Sequence, residues 1–319
     1  MSSFYDRMQH IDRRIIYLVL ATVLIASLIV SKPETPVVLP PVQSLFDAVE
    51  QAPAGPGDGK IITVGTTFGA STLGENGNQA RALFRHMMLR KKRFVVFAIG
   101  EPQGAVLGPR IVNELAEQYG YEYGKDWISL GYQLNSVVVY KALLKDIPGT
   151  MKEDSIERKS LASFPIMQGI KSIQNDVALH LEISASDSVS NWLQFVQPST
   201  QPRLKIGYAC TGVMAAEAYP LLDSGQLSGM TPGLKGAADY ELLVDNLEAE
   251  MVARGEREEL SGARAKGSLP GMGQSARQYM FTQNNAHLVV LLFILVGNIG
   301  LLLARRKRSS TVKEEESNG

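Results

Sequence analysis

Few residues in this 319-residue chain have both the type and the spacing for chemistry. His180 and Glu182 alternate along Asp176–Ser184 (DVALHLEIS), which sets them on one strand face about 6.5–7 Å apart. A histidine beside a carboxylate can serve acid–base chemistry. Set in the middle of a strand, the same pair is expected to be a satisfied polar contact beneath a helix. Cys210 stands at a strand end before a helix, where a thiol pKa can fall, yet a buried small residue is the expected role. With His86, His180 and Cys210 scattered, no metal-ligand spacing appears, and one cysteine makes no intramolecular disulfide. Lys235, in Thr231-Pro232-Gly233-Leu234-Lys235-Gly236, invites comparison with a phosphate-binding loop. That motif needs lysine directly after its second glycine and then Ser or Thr, whereas Leu234 intervenes and Gly236 follows. Gly65, Gly69 and Gly74 are too widely spaced for a dinucleotide fingerprint, and no G-x-S-x-G nucleophile elbow occurs. No cofactor is therefore expected.

The remaining candidates are small, hydroxylated or charged residues in glycine-rich turns: Thr66, Thr67, Ser71, Glu101, Ser186, Asp187, Thr211, Thr231 and Lys235. Hydroxyls, free backbone N–H groups and one lysine could hold a small polar ligand. Caps and tight turns use the same residue types, so each also has a purely structural explanation.

These turns fall where apolar runs give way to helical patterns. Lys60–Gly65, Phe94–Ile99, Trp127–Leu130, Asp176–Ser184, Leu204–Ala209 and Leu227–Met230 read as strands. Between them lie helices over Asn78–Lys91, Ala105–Tyr119 (Val106, Ile111, Val112, Leu115 and Ala116 inward), Ser136–Leu144 and Ser188–Val196, with Asp187 as cap. Another begins near Thr211, and a last one covers Ala237–Arg254. Pro148–Asn175 breaks the alternation and reads as an inserted excursion. Six strands alternating with helices predict an α/β fold, a mainly parallel, doubly wound sheet of Rossmann-like or flavodoxin-like layout. In such sheets ligands bind beyond the carboxyl ends of the strands, where the nine candidates cluster.

Two greasy segments flank this body. Ile15–Val30 and His287–Ala304 carry almost no charge after His287 and approach the roughly 20 residues needed to cross a bilayer as a helix. The expected organisation is a terminus at 1–14, a transmembrane helix at 15–31 and a proline-rich stalk with a short helix at 32–59. The α/β domain follows at 60–254, then a flexible linker at 255–280, a second transmembrane helix at 281–304 and a charged tail at 305–319. Arg7, Arg13 and Arg14 precede the first span, and Arg305, Arg306, Lys307 and Arg308 follow the second. Basic flanks favour the cytoplasmic side, which places both termini inside and the domain outside. A cleaved signal peptide is the competing reading of the first span, but Ser31-Lys32-Pro33-Glu34 is a poor cleavage site. Gly297-Asn298-Ile299-Gly300 suits close helix packing against the first span or another subunit. Since strand one starts soon after the stalk, the amino edge of the sheet is expected to face the membrane.

With 32 basic and 32 acidic residues the chain offers no electrostatic case for nucleic acid. DRRIIYL, FPIMQGIKS, DVALHLEISASDS, YPLLDSGQLSGMTPGLKGAADYE and LVGNIGLLLARRKR together resemble a family of prokaryotic membrane proteins with two spans and a central α/β domain. That resemblance implies the architecture and no activity. The expected partners are the lipid bilayer, a small polar ligand, and a membrane-protein partner or second copy. The expected function is ligand or protein binding without catalysis. A membrane-bound hydrolase using Glu101, Asp187 or His180, and a scaffold subunit of a larger membrane complex, are the alternatives.

Overall fold

The computed structural model describes residues 12–30, 33, 35–257 and 275–317, apart from the side chains of 304 and 306–317. The first eleven residues, including Arg7, and most of the expected linker (258–274) lie outside that set. The chain divides into two compact units, residues 1–34 with 278–319 and residues 35–277.

The first unit carries helix α1 (Arg13–Val30) and most of α11 (Ala276–Ser317), each holding a stretch long and apolar enough to cross a membrane. Eighteen residues at about 1.5 Å each give roughly 27 Å, close to the hydrocarbon thickness of a bilayer. Two hydroxyls in α1 bond inside the helix: Thr22 Oγ1 donates to Leu18 O at 2.8 Å and Ser27 Oγ to Val23 O at 2.5 Å. Lipid offers no other partner, so this is how a serine or threonine is tolerated there. In α11 Gly300 is buried and Asn298 is exposed.

The second unit follows the alternation of the sequence. Helix α2 (Pro40–Gln51) precedes β1 (Ile61–Thr67), α3 (Asn78–Leu89), β2 (Phe94–Ile99), α4 (Gly104–Tyr119), β3 (Trp127–Gln133) and α5 (Val137–Lys145). Two short helices, α6 (Ile147–Met151) and α7 (Ile173–Asp176), bracket the excursion. After it come β4 (Val177–Ser184), α8 (Ser188–Phe195), β5 (Lys205–Cys210), α9 (Ala215–Asp223), β6 (Gly229–Pro232) and α10 (Gly233–Ala253). The six strands form one all-parallel sheet in the order β3-β2-β1-β4-β5-β6. Every residue of β1 and β2 is buried, because helices cover both faces and each strand must be apolar on both. One core layer joins Ile62, Val64, Phe94, Val96, Leu179 and Leu181 to α2, α3, α4 and α10. The opposite layer joins Val95, Phe97, Ile128, Ile206 and Tyr208 to Tyr140, Leu143 and Trp192.

Local details differ from expectation for physical reasons. Val106 is 67 % exposed, because the buried stripe of α4 starts at Gly104 and Gly108 and continues through Ile111, Val112 and Leu115. Helix α10 begins four residues early: Gly236 lets the helix approach Thr231, whose backbone carbon would lie 2.6 Å from an added Cβ. That close packing outweighs the poor helix propensity of glycine.

The stalk meets the domain at the other edge of the sheet from the one expected. Val37 O accepts from Lys235 Nζ at 2.7 Å and Leu39 N donates to Asp239 Oδ2 at 3.0 Å, both in the first turns of α10, which follows β6. Helix α2 then carries the chain to the amino edge, where β1 begins. On the return side, Arg277 N donates to Glu241 Oε2 at 3.0 Å and its guanidinium pairs with Asp245 at 2.9 Å. Asp245 and Glu248 also hold Arg85 of α3, each at 2.9 Å. One helix, α10, thus grips both segments that leave the domain.

The seat of α2 depends on two glycines. A Cβ on Gly207 would lie 2.2 Å from Leu45 Cδ1, and one on Gly229 would lie 2.2 Å from Leu45 N. The second clash is with backbone, so it is relieved only by moving the helix. Gly229→Ala is expected to cost about 1–3 kcal/mol through overpacking, read as a lowered denaturant midpoint at unchanged slope. An unchanged midpoint would show that α2 does not sit in this notch.

Burial, with Asp245 alongside, pushes the Glu241 carboxyl up to about 7, well above its ordinary 4.5. The folded protein then binds more protons than the unfolded one between those values, so this group's contribution to stability falls as pH rises through that window. His86 acts in the opposite sense: burial lowers its pKa below 6.5, so its contribution fades as pH drops below that value. Comparing wild type with Glu241→Gln isolates the carboxyl. The variant is expected to lack a decline on the order of 1–3 kcal/mol between about pH 4.5 and 7, and identical pH profiles would refute the assignment.

Candidate functional site

The most polar part of the interior lies along the seam between β1 and β4, where the strand order reverses. Register pairs Thr63 with His180 and Gly65 with Glu182. His180 Nδ1 lies 2.9 Å from Thr63 Oγ1 and its Nε2 3.1 Å from Glu182 Oε2. The other carboxylate oxygen accepts from Thr67 Oγ1 at 2.7 Å and from Ser188 Oγ at 2.5 Å. Trp192 of α8 covers the imidazole with ring centroids 3.8 Å apart. His180 is fully buried and Glu182 is 1 % exposed. Room for this carboxylate comes from Gly65, where an added Cβ would sit 2.0 Å from Glu182 Oε2. The pair is the satisfied contact beneath a helix that its mid-strand position predicts.

At the carboxyl ends of β4, β5 and β6 a second polar group closes the sheet. Asn76 Nδ2 donates to Ser184 O at 3.2 Å and lies 3.4 Å from Ala209 O. Gln79 Nε2 reaches Cys210 O at 2.8 Å, Thr231 O at 2.7 Å and Gly233 O at 3.2 Å. Beside them Glu75 Oε2 accepts from Gly212 N at 2.7 Å. The chain's own carboxylate thereby takes the backbone N–H that an anionic ligand would seek. Sequence reading passes over Glu75, Asn76 and Gln79, because three polar residues near the start of an otherwise apolar helix look solvated. Only the demand that strand-end carbonyls find donors could have exposed them.

The nine sequence candidates divide among these surroundings. Thr66 is buried in β1, its hydroxyl 2.9 Å from Gly104 O and 3.2 Å from Phe97 O, and Thr67 serves Glu182. Ser71 is exposed in a turn. Glu101 is half-buried and accepts from Gln103 N at 3.0 Å. Ser186 O accepts from Tyr208 Oη at 2.9 Å. Asp187 occupies the N-cap position of α8, but its carboxylate takes the Ser190 hydroxyl rather than a backbone N–H. Thr211 and Thr231 are buried, and Lys235 is committed to Asp239 and Val37 O. Burial pushes the Cys210 thiol up to about 12, which makes it an inert core residue. His86 is also buried: its Nε2 lies 2.6 Å from Glu50 and its Nδ1 2.7 Å from Tyr240 Oη, an arrangement that suits the neutral ring.

An open groove of about 940 Å³ lies elsewhere, between α4 and the end of β3, and none of the nine lines it. Val106, Pro109, Tyr132 and Ile156 give it apolar walls, and Arg110, Asn113 and Arg158 add polar groups. One wall is a loop organised by the fully buried Asp154. Its carboxylate accepts from the N–H groups of Ile156, Glu157 and Lys159 at 2.9, 2.6 and 2.7 Å, and from Tyr123 Oη at 2.7 Å. Burial would raise this carboxyl's pKa, but those four donors outweigh it and hold the pKa below the usual value. Ser155 N fastens the loop to β3 through Ser129 O at 2.9 Å. Lys152 and Arg158 both adopt positive φ, 62° and 58°. Backbone held in that region costs on the order of 1–3 kcal/mol per residue and persists only where its surroundings impose it.

The tie between Gly65 and Glu182 gives a sharp test. Gly65→Ala alone is expected to cost about 1–3 kcal/mol by overpacking. In a Glu182→Ala background, where the carboxylate is gone, most of that cost should vanish, a coupling of roughly 1–3 kcal/mol in a double-mutant cycle. Additive effects would show that the two positions do not share this space. Comparison with protein-family models, with curated proteins and with solved structures finds no match for this chain.

Proposed function

We propose that this chain is a membrane-anchored binding domain that takes a ligand or partner in the groove beside β3 and performs no catalysis of its own. The reading includes a Rossmann-like, doubly wound topology, supported by the reversal of strand order between β1 and β4 with helices on both faces. Both spans are taken to be retained, with the termini cytoplasmic and the domain extracytoplasmic, on the strength of the basic flanks.

The observation that carries the proposal is the built wall of the groove. A fully buried carboxylate with four donors fixes a loop whose only large exposed apolar side chain, Ile156, faces an open space of ligand size. Catalysis by Glu101, Asp187 and His180 has less support. His180 is sealed beneath Trp192, while Glu101 and Asp187 are each held by a neighbour in their own turn. A scaffold role draws on α10, whose acidic side is instead occupied by Arg85, Arg257 and Arg277 of the same chain.

Thermal-shift screening of the detergent-extracted full chain against metabolite pools tests the binding reading. At a ligand concentration of about 100 times Kd, stabilisation is near 2.7 kcal/mol, or roughly 5–10 °C for a domain of this size. The shift should disappear in Ile156→Asp, whose side chain enters the groove while the Asp154 hydrogen bonds remain. A shift retained in full by that variant would move the site elsewhere.

A further inference from the structure

We propose that the carboxyl edge of the sheet rests on the surface of a lipid bilayer, with the turns after β3 and β5 and the first turn of α5 as its contact. The inference goes beyond the groove but rests on the reading that α1 and α11 span a membrane.

Two independent observations lead there. The first is where the domain leaves large apolar side chains in water. Val106 (67 %), Leu134 (69 %), Val137 (40 %), Val138 (74 %) and Val213 (87 %) all lie in segments that directly follow a strand, which in a parallel sheet means one edge. Among the described residues, the segments that enter β1, β2, β3, β5 and β6 (52–60, 90–93, 120–126, 197–204 and 224–228) contribute none, while the long segment that enters β4 contributes Ile156 (47 %), which lines the groove with Tyr132 of β3. The first five carry instead Asp58, Lys91, Lys92, Arg93, Glu122, Lys125 and Arg203. Single exposed apolar residues mean little, but their segregation to one edge is the mark of an interaction surface.

The second observation is where the chain leaves the domain. The stalk is held by Lys235 and Asp239, in the first two turns of α10 at the carboxyl edge, and the return segment by Glu241 and Asp245 near the middle of the same helix. Only six residues separate Val30 at the end of α1 from Val37 on Lys235. Even fully extended they reach roughly 25 Å. A lipid surface is therefore always within reach of this edge, whereas a soluble partner would have to compete with it. The exposed residues are small or medium aliphatics; Arg110 and Arg158 share the groove with Val106, but the turns 134–138 and 211–214 that carry the others hold no cation, which suits shallow insertion between zwitterionic headgroups rather than attraction to anionic lipid.

The experiment uses the full chain reconstituted into phosphatidylcholine vesicles doped with a lipid carrying a shallow nitroxide quencher. Val138→Cys, Val213→Cys and Lys125→Cys variants are labelled with a small fluorophore; all three positions are solvent-exposed, and the buried Cys210 thiol stays unlabelled. Quenching at 138 and 213 is expected to exceed that at 125 by roughly two-fold or more, as befits side chains about 5–10 Å into the headgroup region. Equal quenching at the three positions, or more at 125, overturns the inference. Protection of 138 and 213 from aqueous iodide without lipid quenching also overturns it, since protein rather than lipid would then cover the edge. Alkaline carbonate extraction of the same vesicles separates the two levels. A chain that washes off refutes the membrane anchoring itself, whereas a chain that stays but shows no excess quenching refutes this contact alone.

Discussion

A parallel sheet ends in carbonyl groups that no neighbouring strand can satisfy, and here two side-chain amides meet that need. Asn76, in the turn before α3, and Gln79, in its first turn, reach the ends of β4, β5 and β6 and join these three strands to a segment more than 100 residues earlier in the chain. Each buried hydrogen bond contributes about 1 kcal/mol net, and a buried carbonyl left without a donor costs more. The clasp also decides what the carboxyl edge can do. With Gln79 seated on Gly233 O and Glu75 on Gly212 N, the chain's own side chains occupy backbone groups at the carboxyl ends of β5 and β6.

The same logic governs the seam between β1 and β4. A carboxylate 1 % exposed in the middle of a sheet is tolerable only with its oxygens hydrogen-bonded, and Glu182 is met by Thr67, Ser188 and His180. Those partners need space, which Gly65 provides by lacking a side chain. A histidine–glutamate pair that looks like acid–base chemistry on paper is thus tied into the fold. What separates the two roles is access: Trp192 lies over the imidazole, so no substrate reaches it.

Much of this architecture was legible in the chain. Continuous apolar runs such as Phe94–Ile99 mark strands buried on both faces, and the alternation of Val177 to Ser184 correctly assigns His180 and Glu182 to one face. The helical stripe Ala80, Leu83, Phe84, Met87 and Met88 is buried throughout. Candidate site residues were harder to judge, because capping, strand-end satisfaction and ligand binding draw on the same hydroxyls and amides. Thr66, Thr67 and Thr231 look like loop residues by type but lie inside strands. The groove was hidden for another reason. Its wall depends on Asp154, which sits in a charged run, MKEDSIERK, and only the folded chain shows that one of those charges is buried. No local pattern distinguishes a carboxylate that organises a loop from one that solvates it.

The direction in which a sheet faces its surroundings is likewise invisible to periodicity, since it depends on how many elements precede the first strand. Here one helix, α2, stands between the stalk and β1. Without α2 the chain would enter at the amino edge, as the short spacing suggests. With it, the chain first crosses the domain along α10, seated by Leu45 in the notch of Gly207 and Gly229. Two glycines, one on β5 and one on the edge strand β6, therefore fix which edge of the sheet lies next to the stalk. The exposed valines and leucine of that edge, and the charged turns of the opposite one, follow the same division.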